Sequence, residues 1–204
     1  MTLNNAPLRE RQKHLRRESM LASARTLFVE VGYSKTTMDA IAKQAGVGVA
    51  TVHTYFSTKE GLFAELAKMD MGELKEEAEV LLQQLPADPL TAVHALLDVY
   101  VKVQNYISYD VMSDFVGGSK KPGPMREVAV WINHWQRNYL TNALQQGQSA
   151  GKVSSTLPIE EMSWIILDLL IRFFDRVTSG EDSKDEYAKL KQRVGLLFAD
   201  WTEH

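Results

Sequence analysis

The stretch Thr36-Thr37-Met38-Asp39-Ala40-Ile41-Ala42-Lys43-Gln44-Ala45-Gly46-Val47, continued by Gly48 to Phe56 and by Ser57-Thr58-Lys59-Glu60, decides how this chain folds. Thr36 and Asp39 have capping-box spacing, and Ile41 with Ala45 forms the apolar side of the short helix they open. Gly46 ends that helix, because a residue without Cβ enters the left-handed region freely and lets Val47 fold back onto the core. A second helix runs from Val49 to Phe56, with Val52 and Phe56 on its buried side. Ala50, Thr51, His53, Thr54 and Tyr55 are left wholly or partly outward. Ser57 and Glu60 repeat the capping-box spacing, so a third helix restarts at about Lys59. Two short helices bent at a glycine form a helix-turn-helix, the arrangement that sets a helix in the DNA major groove.

The segment resembles the N-terminal domain of the TetR family of bacterial transcriptional repressors. The family pattern is Thr-Thr, three residues, Ile-Ala, two residues, Ala-Gly-Val-Ser, one residue, Gly-Thr-Leu-Tyr, one residue, Tyr-Phe, two residues, Lys-Glu. This chain supplies Thr36, Thr37, Ile41, Ala42, Ala45, Gly46, Val47, Thr51, Tyr55, Phe56, Lys59 and Glu60 in register. Gly48 stands where the family has a capping serine, Ala50 where it has a glycine close to phosphate, and His53 where it has a phosphate-binding tyrosine. Beyond this first quarter the chain is similar only in helical character and length. The resemblance implies an all-α protein of about nine helices, with a three-helix DNA-binding domain over 1–58 and a helical effector-binding and dimerisation domain over 59–204.

Charge divides the chain in the same place. Residues 1–60 carry nine Lys or Arg against five Asp or Glu, a balance of +4, so the whole-chain charge of −3 leaves −7 for residues 61–204. A basic footprint at one end suits nucleic acid, whereas an isoelectric point near 6.0 argues against coating DNA without selection. Arg9, Arg11, Lys13, Arg16 and Arg17 form a cationic arm at the start of the first helix. The reading helix holds neither Arg nor Lys, which removes the strongest bidentate guanine contacts. Thr37, Tyr55, Lys59 and the basic first helix are then the expected phosphate clamps. Val49, Ala50, His53 and Thr54 lie nearest the base edges, and Thr51 completes the set. Small apolar groups at the groove floor suit thymine methyls opposite Val49 or Ala50, and His53 suits a guanine.

Helical spacing recurs to the C-terminus. Leu21, Ala24, Phe28 and Val31 mark the first helix, which Gly32 ends. A long helix runs from Lys59 to about Leu85, and Leu90, Val93, Leu97, Tyr100 and Gln104 mark the next. Gly117 to Pro124 reads as a loop. Val128, Ile132, Trp135 and Tyr139 define another helix, and Pro158 opens a mostly apolar one reaching Val177. Tyr187, Leu190, Val194, Leu197 and Trp201 step by three and four along the last. The apolar surface of these last two helices exceeds what one core hides and implies self-association, with Trp164 and Ile171 joining Tyr187, Leu190, Val194, Leu197 and Trp201 at the interface. In the family the last two helices pair with those of a second subunit.

Tyr100, Tyr109, Met112, Phe115, Trp131, Trp135 and Trp164, with the polar groups Gln104, Asp168 and Arg172, have the composition of a small-molecule pocket. Core packing explains any one of them as well, and Asp168 with Arg172 has the spacing of an ion pair within one helix. With no cysteine there is neither a disulfide nor a thiolate metal site. His14, His53, His134 and His204 lack metal-ligand spacing, and Gly117-Gly118-Ser119-Lys120 lacks the spacing and strand of a phosphate loop. Neither a catalytic set nor a cofactor or metal site is expected. The apolar run Ile165 to Phe174 is short and interrupted by Asp168 and Arg172, so no membrane span is expected and the cytoplasm is the expected compartment. The resemblance implies a repressor that binds a palindromic operator as a homodimer and is released by a small, largely hydrophobic or aromatic effector. The alternative is a DNA-bound interaction or architectural protein of the same fold without a small effector.

Overall fold

Local capping chemistry sets several of the helix starts, through the side chains of Thr37, Thr58, Asp88 and Asp182. The computed structural model describes residues 7–86, 88–102 and 109–199, the side chains of Tyr109 and Asp110 apart. Among the described residues the order is α1 Leu8–Glu30, α2 Met38–Gln44, α3 Val49–Tyr55, α4 Lys59–Leu82, α5 Pro89–Val101, α6 Tyr109–Ser119, α7 Pro124–Ser149, α8 Ile159–Thr178 and α9 Ser183–Phe198. The chain divides into two compact units, one reaching Lys68 and the other starting at Met69. The division falls inside α4 because the first turns of α4 belong to the first core. Leu62, Phe63 and Leu66 are buried, and the Phe63 ring lies 5.4 Å from Phe28 and 4.8 Å from Tyr33.

In the first unit α1 buries Met20, Leu21, Ala24 and Phe28, α2 buries Ile41 and Ala42, and α3 buries Val52, with Phe56 just beyond it. Val31, expected on the buried side of α1, is 45% exposed. The cap of α2 is Thr37, one residue later than the spacing of Thr36 and Asp39 suggests: Ala40 N donates to Thr37 Oγ1 at 3.1 Å. Thr36 points inward instead, its hydroxyl donating to Gly32 O at 2.8 Å. The same shift recurs at α4, where Gly61 N donates to Thr58 Oγ1 at 3.0 Å, so Thr58 and not Ser57 is the cap. Between α2 and α3, Gly46 takes φ +68°. Val47 N reaches Ala42 O at 3.0 Å and Gly46 N reaches Lys43 O at 3.3 Å, the paired bonds of a Schellman turn.

In the second unit α7 packs against α5, α6 and α8, and α9 packs against α8 and α5. Its core holds Leu96, Leu97, Tyr100, Leu140, Leu144, Ile166, Leu170, Phe173, Leu190, Val194 and Phe198, each no more than 1% exposed. Asp88 caps α5 by accepting from Thr91 N at 2.8 Å, with Pro89 at the first helical position, where a missing N–H costs nothing. Gly117 and Gly118 lie inside α6 and not in a loop, which shortens that connection to residues 120–123. A Cβ on Gly118 would sit on the Met125 side chain, so the glycine lets α6 close against α7. The long helix also stops at Leu82, three residues short of Leu85. Two buried hydroxyls answer each other: Thr141 Oγ1 donates to Ser163 Oγ at 2.9 Å, and Ser163 donates to Ile159 O at 2.8 Å. Among the described residues no helix is long and apolar enough to cross a membrane.

Candidate nucleic-acid interface and effector site

The reading helix is presented by the burial of its opposite side. Val52 is fully buried, which turns Val49, Ala50, His53 and Thr54 to the exposed face and leaves Thr51 and Tyr55 partly covered. Gly48 precedes α3 with extended backbone and no side-chain cap, so the first N–H groups of α3 lack the hydroxyl that a serine there would offer. Thr54 Oγ1 donates back to Ala50 O at 2.9 Å, leaving its methyl and oxygen lone pairs outward. His53 Nδ1 lies 3.3 Å from Ser57 O. A carbonyl only accepts, so Nδ1 carries a hydrogen, and a neutral ring then exposes Nε2 as an acceptor.

Two of the expected phosphate clamps are engaged inside the domain. Lys59 Nζ donates to Tyr33 O at 2.7 Å, to Thr36 O at 2.8 Å and to Ser34 O at 3.4 Å, and lies 4.3 Å from the centre of the Tyr33 ring. An ammonium has three hydrogens, so none is left for a phosphate. In this arrangement Lys59 ties the start of α4 to the turn that follows α1. Arg17 likewise pairs with Glu65 and lies 5.5 Å above the Phe56 ring. Arg9, Arg11, Lys13 and Arg16 stay exposed on α1, as do Lys35 and Lys43 around α2, two cations that the sequence reading passed over. Thr37 is exposed while it caps α2.

The second unit gathers part of the expected effector set. Tyr100 and Trp135 are 1% and 5% exposed, their rings 5.4 Å apart and near perpendicular. Trp131 lies 6.4 Å from Trp135 on one side, and Tyr139 5.5 Å on the other. Met112 is buried and Phe115 partly so. Tyr100 Oη donates to Gln136 O at 3.3 Å, and burial pushes its phenol well above the usual range. Tyr139 Oη donates to Glu79 Oε1 at 2.7 Å, tying α7 to α4. That bond first, and Lys75 second, hold the Glu79 carboxyl below its usual range; burial and Glu79 raise the Tyr139 phenol. Trp135 Nε1, by contrast, is buried with no hydrogen-bond partner among the described residues. Such an unmet donor costs about 1–3 kcal/mol. The bond between Tyr139 and Glu79 and this orphan could not be read from the sequence, because only the fold shows which polar atoms find partners.

Other expected effector residues lie elsewhere. Trp164, Asp168 and Arg172 are exposed on α8, on the side opposite Ile166, Leu170 and Phe173, so they do not join the aromatic cluster. Asp168 and Arg172 form no ion pair with each other; Trp164 is covered in part by the Arg137 guanidinium at 4.8 Å. Gln104, the Tyr109 side chain and Trp201 lie outside the described residues. The dimer seam changes too. Leu190 and Val194 are completely buried within the chain, so they face its own core; Tyr187, partly exposed, donates to Asp98 with its ring 6.0 Å from Phe173. Leu197 is half-buried. The apolar side chains that α8 leaves outward are Trp164, Ile165 and Ile171, at 48%, 44% and 39% exposure, and on α9 Leu196 is 70% exposed.

Residues 20–66, which contain the whole reading motif, match the sequence model of the bacterial regulatory proteins of the tetR family. The chain is 38% identical over 159 residues to the uncharacterized HTH-type transcriptional regulator YhgD of Bacillus subtilis, covering 76% of this chain and 81% of that protein. Its fold is similar to that of FadR from Bacillus subtilis, solved with stearoyl-CoA, at TM-score 0.71, 19% identity and coverage of 89% of this chain and 97% of that one. It is also similar to FadR from Thermus thermophilus, a repressor solved with lauroyl-CoA, at TM-score 0.68, 23% identity and coverage of 92% and 96%. A matched reading motif, and a relative of this identity spanning most of both chains, make the chain a helix-turn-helix transcriptional regulator of the tetR family.

Proposed function

We propose that the protein is a repressor that binds a two-fold symmetric operator as a homodimer and is released by a small, largely apolar effector. The observation that carries the DNA part is the exposed face Val49, Ala50, His53 and Thr54, where His53 lies against the Ser57 carbonyl and Thr54 bonds within its own helix. Val49 and Ala50 meet thymine methyls. In the neutral tautomer that donates Nδ1–H to Ser57 O, His53 offers an acceptor that suits the amino group of adenine or cytosine, where the sequence suggests a guanine. Affinity comes from phosphate contacts by the exposed cations of α1, with Lys35 and Lys43. One helix of seven residues buries too little to be selective, so two copies read half-sites about one helical turn apart, roughly 34–36 Å. The exposed apolar face of α8 and Leu196 on α9 supply the surface for the second copy.

The effector part is supported by the aromatic cluster and by the acyl-CoA ligands of the two FadR structures of this fold. An effector held in the second unit favours the arrangement that does not fit the operator, and acts through α4. Coupling of this kind is reciprocal, so the operator weakens effector binding by the same factor. The test is protection mapping on the promoter beside the protein's own gene, repeated after selection of operators from random sequence. A single palindrome, with adenine or cytosine selected opposite His53 and changed in the His53→Ala variant, is the expected result. Many dispersed sites without two-fold symmetry would favour an architectural protein instead.

A further inference from the structure

We propose that the ring cluster on α7 binds an uncharged, largely apolar molecule bearing a carbonyl oxygen, as in a ketone, ester or amide, and that Trp135 Nε1 is the donor to that oxygen. The proposal rests on the effector-responsive reading above and gives the chemistry of its effector.

The indole N–H is the one part of Trp135 that packing leaves unexplained. Its ring is already used, in tilted or edge contacts with Tyr100, Trp131 and Tyr139. A phenylalanine would make such contacts without bringing a donor into the interior. Both neighbouring phenols direct their hydrogens elsewhere, Tyr100 to Gln136 O and Tyr139 to Glu79, and neither is paired with Nε1. Buried polar groups in folded proteins are almost always satisfied, and an exception points to an acceptor that the described residues do not supply. Indole donates and never accepts, so the occupant presents an acceptor.

Charge narrows the class further. The four rings include no cation, and Glu79 is held by Tyr139 and Lys75. A buried anion without a cation partner is strongly disfavoured, and a cationic centre has no lone pair of its own to offer the indole. A neutral carbonyl flanked by hydrocarbon fits both the donor and the aromatic walls. Tyr139 also gives this site a hydrogen-bonded connection to α4 through Glu79.

Four probes of similar size test the assignment on the full chain: benzylacetone, n-butylbenzene, phenylbutyrate and phenyltrimethylammonium. Nitrogen-edited NMR follows the Trp135 indole resonance, identified by its loss in Trp135→Phe or, in the unmodified protein, by contacts to the Tyr100 and Tyr139 rings. Benzylacetone should shift that resonance downfield and bind about three- to tenfold more tightly than n-butylbenzene, the worth of one neutral hydrogen bond. In Trp135→Phe the ratio should fall to about one. An unchanged ratio in the variant, an indole resonance that none of the probes moves, or tighter binding of either charged probe would each overturn the site. If the variant does not fold, the resonance and the probe order in the unmodified protein still decide. Operator affinity is measured separately: benzylacetone that moves the indole but leaves operator binding unchanged rejects the effector-responsive reading and leaves the site standing.

Discussion

At Lys59 the three ammonium hydrogens meet the carbonyls of Tyr33, Ser34 and Thr36, which closes the turn between α1 and α2 from the side of α4. Spacing alone could not show this, because a lysine one turn after the reading helix has the reach for a phosphate as well as for a carbonyl. The two roles have different signatures. Lys59→Met is expected to lower stability by about 1–3 kcal/mol in urea unfolding, since it strips charged donors from partly buried carbonyls. The salt dependence of operator binding should keep its slope. A slope reduced by about 1 with unchanged stability would return Lys59 to the phosphate backbone.

At the level of elements, close approach between helices depends on small residues and buried charge. Gly147 on α7 faces Pro89 at the start of α5; a Cβ there would lie 2.6 Å from the ring, which is too rigid to step aside. Gly147→Ala should therefore destabilise by about 1–3 kcal/mol, measured by thermal or urea unfolding, although alanine is the better helix former. Between α8 and α9, Glu186 is 1% exposed and accepts from Lys189 at 2.8 Å and from Arg176 at 2.5 Å. These bonds, Lys189 first, hold its carboxyl below the usual range. A depressed carboxyl adds stability above its unfolded value, about 4.3 for glutamate, and that stability is lost as the pH falls through the lower folded value. Urea midpoints of the native chain should drop below that pH, whereas Glu186→Gln should be less stable at neutral pH with a flatter acid limb.

For the whole molecule, two apolar seams compete for the name of interface. Leu190 and Val194 satisfy a helical seam by burying themselves against their own chain, whereas Trp164, Ile165 and Ile171 lie exposed on the other side of α8. If the exposed face of α8 is the proposed dimer surface, Ile171→Glu is expected to give a monomer in sedimentation where the native chain gives a dimer, with helicity retained and operator affinity lost. Leu190→Ala is expected to cost about 2–5 kcal/mol in unfolding through a core cavity, with no selective effect on association. The reverse pattern would restore the α9 seam to the interface.

The sequence alone determined the family, the helical class and the reading motif. Those rest on signals carried within a few residues: the Gly46 turn, the threonine caps to within one position, and Val52 with Phe56 inward. It also showed the aromatic richness of the second half and its division of charge. Tertiary structure alone decided which face of each C-terminal helix is inside, because the mostly apolar α8 offers more than one side to bury. It gave Lys59 and Arg17 internal ties, placed Asp168 and Arg172 at the surface, and left the Trp135 N–H without an acceptor among the described residues. Partners far apart in the chain meet only when the helices pack, and no local pattern of residues records which groups will then be satisfied.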